Sequence, residues 1–96
     1  MASDVTLYIA EPRTGAIVLV QWLGMGSTID AARSILERPP DHAERGTECW
    51  GRLTVDEVAG IVAAQLYEKG PELADIARQG ERFPSDRYWW ILHHDY

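Results

Sequence analysis

The chain has 96 residues, 46% of them hydrophobic, and fifteen acidic side chains against nine basic ones give a net charge of −6. This length supports one domain built on one core. The charge excludes a general binder of phosphate backbones, which would present a basic face.

A single cysteine, Cys49, rules out an intramolecular disulfide framework and fits a reducing compartment. The N-terminal Met1-Ala2-Ser3-Asp4 lacks the basic-then-apolar pattern of a signal peptide. The longest apolar run, Ala16 to Val20, is far below the roughly 20 residues that span a bilayer. A cytoplasmic protein is therefore expected. Eight of the nine basic residues are Arg, which suits planar ion pairs and interfaces; a GC-rich genome would produce the same bias.

In chain order, Val5 to Ala10 alternates as a strand with Val5, Leu7 and Ile9 on one side. Glu11 to Gly15 supplies a turn, and Ala16 to Leu23 reads as the second strand of a hairpin. Ile17, Leu19 and Leu23 face one way and Val18, Val20 and Trp22 the other, as expected of a central strand. Gly24-Met25-Gly26 breaks it. Ser27 is the predicted N-cap of a helix running to about Arg38, with Ile29, Ala32, Ile35 and Leu36 as its apolar stripe. Pro39-Pro40 stops that helix, and residues 39–47 have the composition of a mobile loop.

Glu48 to Leu53 forms a short strand, weakened by Gly51. Thr54 and Glu57 make a capping box, and Val55, Val58, Ala59, Val62 and Leu66 give the clearest helical stripe in the chain. Gly70-Pro71 ends this helix and starts another over about 71–79, which Gly80 closes. Glu81 to Asp86 leads into a terminal strand. The order β-β-α-(β)-α-α-β predicts a single α+β domain: a two-layer sandwich with a mainly antiparallel sheet of three to four strands and two or three helices. The last strand is expected beside the N-terminal hairpin.

The terminal segment, Arg87 to Tyr96, is apolar on both faces. Tyr88, Trp90 and Leu92 share one face, and Trp89, Ile91 and His93 the other. Adjacent tryptophans on a strand cannot enter one core together, so one of Trp89 and Trp90 is covered by a second layer, exposed or held by a partner.

Catalytic signals are weak. Gly24-Met25-Gly26-Ser27 stands where an anion-binding turn would, but it lacks the third glycine of a dinucleotide fingerprint and the P-loop lysine. It carries the alternative reading, a small-molecule or phosphate-binding enzyme domain. His93-His94-Asp95, with Cys49 or His42, suggests a metal, yet adjacent histidines on a strand diverge. Cys49 has no nucleophile signature around it. No catalytic residue, metal or cofactor is expected.

The stronger signal is a binding surface. Trp, Tyr and Arg dominate hot spots, and Arg82, Arg87, Tyr88, Trp89, Trp90 and Tyr96 crowd the C-terminus. Glu68, Glu72 and Asp75 add acids that steer towards a basic partner or form a nucleic-acid-mimicking face; first-turn acids also complement helix dipoles. The expectation is a non-catalytic protein that binds a protein partner such as a basic nuclease or toxin, with no direct nucleic-acid or membrane contact, or that forms a homodimer through its C-terminal strand. In class and composition it is similar to neutralising proteins: immunity proteins against toxins and phage-encoded anti-CRISPR inhibitors.

Overall fold

Val5, Leu7 and Ile9 alternate with Thr6 and Tyr8, and this two-residue period makes strand β1 (Asp4–Ala10). The computed structural model describes residues 3–65 and 71–96. After β1 come β2 (Ile17–Met25), helix α1 (Ser27–Leu36), β3 (His42–Glu44), β4 (Thr47–Leu53), α2 (Val55–Ala63), α3 (Leu73–Arg82) and β5 (Trp89–Asp95). The five strands form one antiparallel sheet in the order β2-β1-β5-β4-β3. The class is α+β, with one more strand than the sequence suggested. No helix among the described residues is long and apolar enough to cross a membrane.

β5 lies between β1 and β4. Its pairing with β1 is in register along its length, from Asp4 opposite Asp95 to Ala10 opposite Trp89. Placement beside the hairpin was expected. A homodimer paired through β5 is closed off, because both edges of that strand are already used. β2, expected in the centre, is one of the two edge strands.

Directly opposed residues in a sheet share a face, so the register sorts the side chains. Val5, Leu7, Ile9, Trp50, Leu53, Trp90 and Leu92 all point to the helical layer and are at most 1% exposed. There they meet Ile29 and Ala32 of α1, Val58 and Ile61 of α2, and Ile76 of α3. α2 packs between α1 and α3. The opposite face, with Tyr8, Val20, Trp22, Trp89, Ile91 and His93, has no layer over it among the described residues.

Local rules account for most boundaries. Thr54 accepts from Glu57 N at 3.1 Å, and Glu57 accepts from Thr54 N at 2.9 Å, which completes the predicted capping box of α2. α1 is capped differently from the prediction. Gly26 occupies the N-cap with no side-chain hydrogen bond, Ser27 is already helical, and Glu37 in the left-handed region ends the helix. α3 runs through Gly80 to Arg82 instead of stopping there. Leu66 and Gly70, the predicted end of the α2 stripe, lie outside the described residues.

The segment expected as a mobile loop holds β3, paired with β4 through His42 opposite Cys49 and Glu44 opposite Thr47. All three β3 residues are exposed, so no apolar alternation marks them; the strand exists because β4 offers it an edge.

Candidate functional site

The four tryptophans divide sharply. Trp50 and Trp90 are fully buried under the helices, and each spends its indole N–H on a backbone carbonyl: Trp50 on Arg38 at 3.3 Å, Trp90 on Phe83 at 2.8 Å. Trp22 is 42% exposed on the open face and donates to Asp4 at 3.1 Å. Trp89 is half-buried on that same open face, and its N–H has no protein acceptor among the described residues. Of the adjacent pair, Trp90 is thus the core residue, not a partner-binding one. Its side chain cannot reach a partner without unfolding the helical layer. Trp89 is the outward residue.

Trp89 borders a cleft of about 280 Å³ with Pro12, Arg52, Arg87, Tyr88 and Asp86. Arg52 also lines a neighbouring groove of about 580 Å³ with Arg38, Asp41 and Gly51. The guanidinium carbon of Arg52 lies 5.3 Å from the Trp89 ring centroid, within cation–π range. Neither Arg52 nor Arg87 has a carboxylate within ion-pair distance among the described residues. In a chain of net charge −6, two arginines with no carboxylate in ion-pair distance among the described residues, beside one half-buried indole and with Asp86 on the same cleft, form a distinct local environment.

A bulge puts Arg52 there. Trp50 opposes Leu92 and Leu53 opposes Trp90, so Gly51 and Arg52 together stand against the single residue Ile91. Bulges bend a strand and re-aim a side chain. Arg52 takes a left-handed φ of 55°, a conformation that costs a non-glycine residue on the order of 1–2 kcal/mol. The neighbouring loop clamps the distortion: Asp41 accepts from Gly51 N at 2.6 Å and pairs with Arg38 at 2.9 Å, while Arg38 also donates to Gly51 O at 2.8 Å. The Gly51 amide and the Arg38 guanidinium hold the Asp41 carboxyl below the usual carboxylate range.

The other side of the cleft is a turn. Arg87 N and Tyr88 N both donate to Pro84 O, at 3.0 and 2.9 Å. Ser85 Oγ accepts from Val55 N, which ties the turn to the start of α2. Tyr88 packs edge-on against Phe83, and Arg82 stacks on the other ring of that pair, 5.1 Å from the Phe83 centroid. The predicted residues Arg82, Arg87, Tyr88 and Trp89 are therefore gathered at one end of the sheet.

The remaining predicted residues are elsewhere. Tyr96 is half-exposed at the far end of β5, its ring 4.8 Å from that of His94. Glu72 and Asp75 form the capping box of α3, and Asp75 also pairs with Arg78. They sit at the opposite end of that helix from Arg82. Glu68 lies outside the described residues. Neither Glu72 nor Asp75 lines the Trp89 cleft, where the acid is Asp86.

The candidate chemical centres are also placed. His42, Cys49 and His93 fall in one row across the sheet. Their side chains are engaged separately, His42 with Glu44 at 3.2 Å, and His93 edge-on to Tyr8 and near Asp95. Burial, and then Asp41, push the Cys49 thiol pKa up, away from a reactive thiolate. No group of three His, Cys, Asp or Glu among the described residues is arranged to hold a metal.

The Gly24–Ser27 turn is occupied by the protein itself. Gly26 N donates to Ser3 O at 3.2 Å. Gly24 is pressed so closely by Gln65 and Thr28 that a Cβ there would lie 2.5 Å from each. The turn is thus closely packed at Gly24.

One arrangement escaped sequence reasoning. Buried His94 bonds Ser3 Oγ through Nε2 at 2.5 Å, and its Nδ1 faces Glu48 Oε2 at 3.7 Å, while Arg33 holds the other Glu48 oxygen at 2.8 Å. Hydroxyl, imidazole and carboxylate stand in the order of a nucleophile, base and orienting acid. However, neither cleft reaches Ser3, and the Gly26 amide beside it is already donated to the Ser3 carbonyl. The chain of contacts ties the N-terminus to the last strand. Comparison with family models, with curated proteins and with solved structures finds no match to this chain.

Proposed function

We propose that the protein is a non-catalytic binding protein of the inhibitor or neutralising kind, and that it occupies the surface of a protein partner through the Arg52–Trp89 cleft. The observation that carries this reading is the strained bulge that holds Arg52, which has no ion-pair partner among the described residues, over the half-buried ring of Trp89. Strain held in place by a dedicated clamp is characteristic of functional positions. The Trp, Tyr and Arg gathered there are the residue types that dominate binding hot spots.

In this reading a partner carboxylate pairs with Arg52 or Arg87, and a partner acceptor takes the free Trp89 N–H. The excess of acidic residues elsewhere steers the approach of a basic partner, such as a nuclease or toxin, in the manner of anti-CRISPR or immunity proteins.

The test is affinity capture from extracts of the native host with the tagged protein and two variants, Trp89→Ala and Arg52→Ala, each checked for folding by circular dichroism. The expected result is one protein enriched by the wild type and lost with both variants, whose activity falls when stoichiometric wild-type protein is added. Retention of that protein by both variants overturns the assignment of the cleft.

A further inference from the structure

We infer that a second copy of this chain adds to the free edge of β2, so that two sheets join antiparallel into one continuous sheet about a two-fold axis near Val20. β2 lies two strands from β5, and its free edge is distinct from the role proposed for the Trp89 cleft.

β2 is nine residues long and has a strand on one side only, so its outer row of backbone N–H and C=O groups is unpaired among the described residues. Proteins usually protect such an edge with charge, proline, brevity or a bulge. β2 has no charge and no proline and is nine residues long; its bulges against β1, at Val18 and Leu23, leave Leu19 to Trp22 as the regular stretch of the edge. No charged residue and no proline stands between Arg13 and Asp30. Instead the strand exposes Ile17 at 52%, Val18 at 41%, Val20 at 59% and Trp22 at 42%.

Geometry selects the occupant. A two-fold axis normal to the sheet keeps each face on its own side, so the open face of one copy meets the open face of the other. With Val20 opposite Val20 of the second copy, the two exposed valines meet across the new pair at the centre of the regular stretch, with Trp22 next to them on the same face.

Charge points the same way. Two molecules of net charge −6 repel, and the uncharged edge is where they approach with least cost. The antiparallel arrangement also brings Arg13, exposed in the β1–β2 loop with no carboxylate partner among the described residues, towards the end of the second copy's β2. Asp4 and Asp30 stand at that end.

The experiment is sedimentation velocity on the full chain across a dilution series, wild type against Val20→Lys. Val20 is mostly exposed, so the lysine is tolerated by the monomer, but the two-fold axis sets it against itself. The expected result is a wild-type dimer and a weakening of about 100-fold or more in the variant, from like charges forced together. A second measurement fixes the register: a Val20→Cys variant in a Cys49→Ser background forms an intermolecular disulfide under mild oxidation. A monomeric wild type, a dimer indifferent to Val20→Lys, or the absence of that cross-link in a wild-type-like dimer overturns the proposal. If Val20→Lys fails to fold, the cross-link alone decides.

Discussion

Arg52 reaches the face of the Trp89 ring, 5.3 Å from its centroid, only because its backbone is left-handed at φ 55°. The two features have opposite effects on stability. The stack is worth about 0.5–1 kcal/mol at a partly exposed site, whereas the left-handed conformation costs about 1–2 kcal/mol. Alanine loses the stack and keeps the strain; glycine loses both. Arg52→Gly should therefore unfold at a higher urea midpoint than Arg52→Ala, by a difference on the order of 1 kcal/mol after the entropy of the unfolded glycine chain is counted. Equal midpoints, or Ala above Gly, would show that the bulge is unstrained.

The tryptophan pair gives a sharper contrast. Trp90 is fully buried and bonded to Phe83 O, so Trp90→Ala should cost about 3–5 kcal/mol, the range for emptying a large aromatic site. Trp89 is half-buried and held by one stacked guanidinium, so Trp89→Ala should cost about 1–2 kcal/mol. Chemical denaturation of the two variants checks this, and similar losses would contradict the assignment of their faces.

Those faces were legible as a problem but not as an answer. Alternation showed that Trp89 and Trp90 oppose each other, and only the position of β5 between β1 and β4 decides which one meets the helices. Elements with local signals followed them closely: the Val5-Leu7-Ile9 period and the Thr54 capping box. β3 had no such signal, since His42, Ala43 and Glu44 are all exposed and their pairing depends on β4. The apolar faces of β2 suggested a central strand because sequence cannot separate a covered face from one left uncovered. Arg87, Tyr88 and Trp89 were found through local crowding of hot-spot residues. Arg52 was missed, because its position comes from a bulge against β5 and a clamp from Asp41, both distant in sequence.

His94 makes folding stability depend on pH. Burial holds its pKa below the ordinary value of 6.5, outweighing the opposite pull of Glu48; Arg33 adds to the lowering and Asp95 opposes it. The folded protein therefore resists a proton that the unfolded chain accepts. The contribution is fully present above pH 6.5 and is lost as pH falls through that value towards the folded pKa. The urea midpoint should drop between about pH 7.5 and about pH 5, and His94→Gln should flatten that drop relative to wild type. An identical pH profile in the variant would assign the dependence to other groups.

The spacing of α2 and α3 determines where the turn that presents Arg87 is anchored, and Gly80 sets that spacing. In an ordinary helix, Gly→Ala stabilises by about 1 kcal/mol. Here a Cβ on Gly80 would lie 2.8 Å from Val55 Cγ1 and 3.2 Å from Cγ2. Val55 cannot easily give way: its χ1 is restricted, and its N–H is tied to Ser85. Overpacking costs about 1–3 kcal/mol, enough to reverse the helix-propensity gain, so Gly80→Ala should destabilise. The cause is checked by a double-mutant cycle with Val55→Ala, which empties the space that the new methyl needs. Gly80→Ala should be stabilising in that background, with a coupling of about 1–3 kcal/mol between the sites. Additive effects would mean that the glycine is required for its backbone and not for the close approach of the two helices.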